Sequence, residues 1–286
     1  MRKNSLFAVC LFAFAAISAI AQSRPAYLEV SKAQVRGDKS KEYDDAIHKL
    51  IDVNRKYKGD HWIALTTEYG DTGTYLFSSS RDTLASVETG GEAFMKALKE
   101  GLGPMADKLM RDLGAWSTFR SEMRRRRWDL SVHPPADAAA MADLIGHSRW
   151  IRTLRLDMKP GRALDYVEAW KGFQTELESI SPPVTALVSE SITGTPAMYV
   201  GLYYKSMADM DKEAAAVQPA LSSAAYMNLA KATAGAIDKT NWEIHRVRPD
   251  LSNPPDEVLN ADPAFWKPKP MAAPAKPKTD TTAEKK

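Results

Sequence analysis

The chain has 286 residues, 44% of them hydrophobic, with 39 Lys and Arg against 36 Asp and Glu. That is enough apolar material for one or two packed domains, and so even a charge balance excludes a strongly basic nucleic-acid-binding surface as the main feature. The balance is also uneven along the chain: of the formal +3, Arg2 and Lys3 carry +2, and six lysines less Asp280 and Glu284 beyond residue 262 carry +4, which leaves the middle at −3.

Arg2 and Lys3 precede an apolar run from Leu6 to Ile20 that ends in Ala19-Ile20-Ala21 before Gln22, the small-x-small pattern of a signal-peptidase site. Residues 1–21 therefore read as a signal peptide, with export to a bacterial periplasm or the extracellular space. The run falls short of the roughly 20 residues that span a bilayer, so no membrane span is expected. Cys10, the only cysteine, lies inside this leader. The mature chain then has no disulfide, thiol nucleophile or cysteine metal ligand.

"AYLEVSKAQV" (26–35) alternates as a half-buried strand, and residues 38–56 have helical spacing with Tyr43, Ile47, Leu50 and Ile51 on one face. "HWIALTTEY" (61–69) and "TYLFSSSRD" (74–82) are strands joined through Gly70-Asp71-Thr72-Gly73, a helical region covers 92–112, and a strand holds "EMRRRRWDLS" (122–131). The series then recurs. "RWIRTLRLDM" (149–158) is a strand, 161–180 a helix, "PVTALVSESI" (183–192) and "MYVGLYYKS" (198–206) are strands, 209–237 is helical with an interruption at Pro219, and a last strand holds "EIHRVRPDLS" (243–252). Glu122 and Glu243, Asp129 and Asp250, Leu130 and Leu251, and Ser131 and Ser252 each stand 121 residues apart. Tyr43 aligns with Tyr166, and Tyr75 with Tyr199. Such self-similarity marks two copies of one unit.

Each copy reads β-α-β-β-α-β, the ferredoxin-like order. This division gives repeat 1 over 22–135, repeat 2 over 136–262 with a leading linker helix, and a disordered Pro/Lys/Ala-rich tail over 263–286. The pattern resembles the dimeric α+β barrel superfamily, including cofactor-independent monooxygenases and NIPSNAP-like proteins, with a fused pair in place of the dimer. The resemblance spans roughly residues 26–252 and rests on element order and duplication. It implies an α+β fold in which two tandem ferredoxin-like repeats pack as one barrel, a monomer with an internal pseudo-twofold.

Candidate site residues follow from the repeat. On the arginine-rich strand, Met123, Arg125 and Arg127 share one face, while Arg120, Glu122, Arg124 and Arg126 share the other. Arg125 and Arg246 are matched across the copies, and two roles are open to them: pairing with carboxylates such as Asp129 and Asp250, or holding a ligand anion at the barrel mouth. Tyr75 and Tyr199 are candidates for the wall of an inter-sheet cavity. In the resembling superfamily a histidine sometimes serves as haem ligand or acid-base group; no motif selects one here, and His61 and His245 are candidates because they fall on strands. No histidines stand at metal-ligand spacing, and neither metal nor other cofactor is expected. "GHSRW" (146–150) lacks the second glycine of a nucleophile elbow and precedes a strand rather than following one. Two functions fit these features: a binding or structural module that holds an apolar or amphipathic small molecule, anionic or neutral, or a protein partner between its sheets; or a cofactor-independent oxygenase or isomerase for an aromatic or quinone-like substrate.

Overall fold

A computed structural model of the chain describes residues 24–181 and 183–267. Residues 1–23, where the sequence leads one to expect a signal peptide, and residues 268–286 lie outside the described residues. Eight strands, β1 (Tyr27–Val35), β2 (Ile63–Tyr69), β3 (Thr74–Arg81), β4 (Ser117–Arg126), β5 (Trp150–Met158), β6 (Ala186–Ser191), β7 (Ala197–Tyr204) and β8 (Ile237–Val247), close into an antiparallel barrel in the order β1-β3-β2-β8-β5-β7-β6-β4. The first four strands thus lie as β4-β1-β3-β2, and the last four repeat that order as β8-β5-β7-β6. Two seams, β2 with β8 and β4 with β6, join the sets. The turns that let the hairpins reverse use glycine where φ is positive, as at Gly73 and Gly194.

Helices pack on the outside. α1 (Ser40–Lys56) buries Tyr43, Ile47, Leu50 and Ile51 against Ala33, Val35 and Tyr75 of the sheet, with α2 (Ala85–Leu102) and α3 (Met105–Trp116) beside it. α5 (Ala163–Glu178) does the same in the second set with Tyr166, Trp170 and Phe173, beside α6 (Met207–Val217) and α7 (Ala224–Ala236), which are separated around Pro219 as its missing N–H requires. Each such fully buried side chain contributes roughly 1.5–3 kcal/mol of hydrophobic stabilisation. The alignment of Tyr43 with Tyr166 therefore holds in space.

The repeated Asp-Leu-Ser forms a clasp between the sets. Ser252 Oγ donates to the Arg248 carbonyl at 2.7 Å and accepts the Ala64 N–H of β2 at 2.8 Å. Ser131 Oγ donates to the Arg127 carbonyl at 2.9 Å and accepts the Val188 N–H of β6 at 2.9 Å. Arg248 and Arg127 in turn pair with Asp250 and Asp129 two residues on. The Arg127 hydrogen bond holds the Asp129 carboxyl below its ordinary range.

One expectation about the chain's end needs correction. The leading segment of the second half folds as α4 (Ala138–His147), and it packs with α8 (Asp256–Ala261) and α9 (Pro263–Trp266) over one end of the barrel. The tail therefore does not begin at 263: Pro263 opens a helical turn, where its absent N–H costs nothing, and Trp266 is only 2% exposed, its indole N–H donating to the Gly146 carbonyl at 2.9 Å. Composition alone hid this anchor.

Candidate functional site

In a barrel, alternate residues of every strand face inward. Here the inward set leaves a cavity of about 1020 Å³. Toward the end covered by α4 and α8 its wall is apolar, with Leu28, Val30, Ile63, Leu65 and Ile151. Elsewhere it is charged, seven Arg and Lys side chains facing five Asp and Glu.

The charged groups form two clusters. In the first, Tyr199 on β7 donates its hydroxyl to Glu122 Oε2 on β4 at 2.9 Å, Arg124 pairs with the same carboxylate, and the Arg124 guanidinium lies 3.5 Å above the Tyr199 ring. Burial above all pushes the Tyr199 phenol up to about 12, so it stays a donor. In the second cluster, His245 on β8 is 1% exposed, its Nδ1 hydrogen-bonded to Thr67 Oγ1 at 3.1 Å across the β2–β8 seam. Its Nε2 lies 3.9 Å from Glu243 Oε2. Burial, then Lys32 and Arg124, push its pKa down to about 3, so the imidazole is neutral at ordinary pH. Glu243 reaches Lys32 Nζ at 3.6 Å, and its buried Oε1 has no hydrogen-bond partner among the described residues. The cavity thus offers an acceptor carboxylate with a vacant lone pair and cations on both sides. Among the described residues no group of three or more His, Cys, Asp and Glu is placed to hold a metal ion. Within the same residues no helix is long and apolar enough to cross a membrane.

Of the residues singled out from sequence, His245 and Tyr199 line this cavity together, and His61 lies at its rim, exposed, with Nδ1 3.3 Å from the Asn253 carbonyl. Three expectations are corrected. Arg125 faces outward and pairs with Glu190, and Arg246 is exposed on the outer face of β8; neither lines the cavity. Tyr75 also faces outward, into the helix-packed core, 5.2 Å from the Tyr43 ring. Its alignment with Tyr199 was one residue out of step. Tyr75 pairs with Ala33 and Tyr199 with Arg155, and a one-residue slip puts a side chain on the opposite face. The true counterpart of Tyr199 is Leu76, paired with Lys32. Ser148 is buried and donates to the Leu144 carbonyl at 2.6 Å, a helix-end role.

Sequence reasoning missed the glutamates as site residues. Glu122 and Glu243 carry a readable signal, an acid kept at the same place in both copies, on β4 among the arginines Arg120, Arg124 and Arg126. The candidates drawn from the repeat are its arginines and tyrosines, which leaves the glutamates out.

Neither a scan against protein-family models nor a search of curated proteins finds a match. Among solved structures, an anthrone oxidase-like protein superposes with a TM-score of 0.52 at 10% identity, covering 80% of this chain and 94% of that one. A monooxygenase-like protein from Fusobacterium nucleatum subsp. nucleatum superposes with a TM-score of 0.50 at 10% identity, covering 78% of this chain and 93% of that one. At such identity the likeness defines the fold, which is that of the dimeric α+β barrel proteins.

Proposed function

We propose that this chain is a small-molecule-binding barrel whose ligand is amphipathic, with an apolar part toward the covered end and an anionic or hydrogen-bonding part among the charged groups. The observation that carries this reading is the cavity itself: about 1020 Å³, apolar at one end and with a surplus of cationic side chains along its wall. The test is native mass spectrometry of the protein purified from its own host, with identification of any retained molecule. An anionic amphiphile is the expected finding. A retained cationic or purely hydrophilic compound would contradict the reading.

A second reading is favoured by one feature, the acceptor carboxylate of Glu243 beside neutral His245 in the cavity. A carboxylate in that position can take a proton from an acidic C–H or O–H of an aromatic or quinone-like substrate, the first step of a cofactor-independent oxygenation. The likeness to an anthrone oxidase-like protein points the same way. Oxygen uptake with anthrone, abolished by Glu243→Gln, is the check; no uptake above the buffer rate sinks the oxygenase reading for that substrate.

We further read the halves as two fused ferredoxin-like copies, because the strand order and the Ser131 and Ser252 clasps occur twice. On this reading the protein is a monomer, since both seams are closed within one chain, and sedimentation at a dimer mass would refute it. Export follows from the basic start and apolar run of the leader, and N-terminal sequencing that still reads Met1 would refute it.

A further inference from the structure

The four consecutive arginines, Arg124 to Arg126 at the end of β4 and Arg127 just after it, have unequal fates. Arg124 pairs with Glu122, Arg125 with Glu190, and Arg127 with both Asp129 and Glu190. Arg126 pairs with no carboxylate among the described residues, although it is the most buried of the four at 7% exposure. Its Nε is fully enclosed without a hydrogen-bond partner. Its side chain lines the cavity, in register with buried Ser189 on β6.

An unpaired buried guanidinium is costly, and proteins usually satisfy one with a carboxylate or with a ligand. Nothing in the packing demands a charge here. The matching position in the second half is Val247, which sits in an apolar cluster with Leu65 and Val258. The local field is positive: Arg126 and Arg24 both approach the Trp128 ring, at 5.6 and 4.9 Å, and Arg24 is tied to the Pro135 carbonyl. Beside Arg126 the wall turns apolar, with Leu187 two residues from Ser189 on β6 and Leu28 on β1.

We propose that Arg126 anchors the carboxylate of a monocarboxylate ligand whose apolar body lies along Leu28 and Leu187. This rests on the barrel being a binding cavity. A planar guanidinium accepts a carboxylate in bidentate fashion, and one unpaired positive charge is balanced by one negative charge.

The test uses two isosteric probes, 2-naphthoate and neutral 2-naphthamide, titrated calorimetrically into the full-length mature protein. The wild type should bind the naphthoate at least about tenfold more tightly, the size of one charge-assisted interaction. Arg126→Met should erase that preference while leaving naphthamide binding unchanged, Arg126→Lys should keep part of it, and Arg125→Gln should keep all of it. Because Met removes an unpaired buried charge, the melting temperature of Arg126→Met should hold or rise. A preference that survives in Arg126→Met overturns the assignment, and so does a fall of several degrees in its melting temperature, which would mark a structural arginine. If both probes bind the wild type equally, the cavity reading stands and the Arg126 assignment falls. If neither probe binds, the cavity reading falls and takes the assignment with it.

Discussion

Replacing Ser252 by alanine tests what the duplicated Asp-Leu-Ser does. The hydroxyl is fully buried, and it holds two backbone groups, donating to the Arg248 carbonyl and accepting from the Ala64 N–H of β2. With alanine both bonds go, and the Ala64 N–H is left inside the protein with no partner and no room for water. A buried donor stranded in this way costs about 1–3 kcal/mol, so about 2 kcal/mol is the expected loss. At about 2–4 °C per kcal/mol for a domain of this size, the melting temperature should drop by about 4 to 8 °C. Ser131→Ala should do the same through the Val188 N–H of β6. The two clasps share no partner, so the double variant should lose the sum to within about 0.5 kcal/mol. Circular dichroism melts and urea titrations of the three variants give the numbers. Shifts under about 1 °C in both single variants, or a double variant no weaker than either single, would refute the clasp.

Two further variants test other parts of the account. His245→Gln keeps a hydrogen-bonding partner for Thr67 but removes a group that protonates near pH 6.5 in the unfolded chain and only near 3 in the fold. Protonation between those values favours unfolding, so wild-type stability should fall with pH from about 6.5 downward by up to about 1.4 kcal/mol per unit from this group, and the variant should lack that slope. Parallel pH profiles for the two proteins would count against a buried neutral imidazole. Trp266→Ala empties the packing of α9 beneath α4 and frees the Gly146 carbonyl, which predicts a loss of about 3–5 kcal/mol in urea denaturation. A loss below about 1 kcal/mol would mean that the barrel end is not covered as described.

The strands were legible because β1, β5 and the two hairpins alternate against a helix-covered outer face, and the duplication was legible because the clasp needs the same short residues twice. The lumen was harder to read. β4 and β8 each form one side of a seam, and part of their outer face is left bare of helices: Phe119 is 57% exposed, Trp242 44%, and Arg125 and Arg246 are also exposed. With polar residues on both sides, such strands carry no hydrophobic alternation to say which side faces inward. The sequence therefore leaves Arg125 and Arg246 open to a place at the mouth, whereas in the fold Arg126, one residue away, takes the inward position. The Tyr75 and Tyr199 slip has the same root, because both faces of β3 and β7 are covered and a one-residue shift leaves no polar mismatch. The covering of the barrel end was lost to composition: α8 and α9 are short, flanked by prolines, and anchored by only a few apolar side chains, Val258, Leu259, Phe265 and Trp266.

The central claim is that the barrel interior holds a small molecule, and filling that interior tests it most directly. Gly201 on β7 lines the cavity, and a Cβ there would meet only the Tyr203 ring at 3.4 Å and the Leu187 carbonyl at 3.7 Å, ordinary contacts that the fold can absorb. Gly201→Phe then projects a ring into the cavity without breaking a turn or a seam. Native mass spectra of wild type and Gly201→Phe, both purified from the natural host, should show a bound small molecule on the first and none on the second, with both proteins folded. A wild type that carries nothing, or a Gly201→Phe that keeps the same bound mass, would contradict the claim.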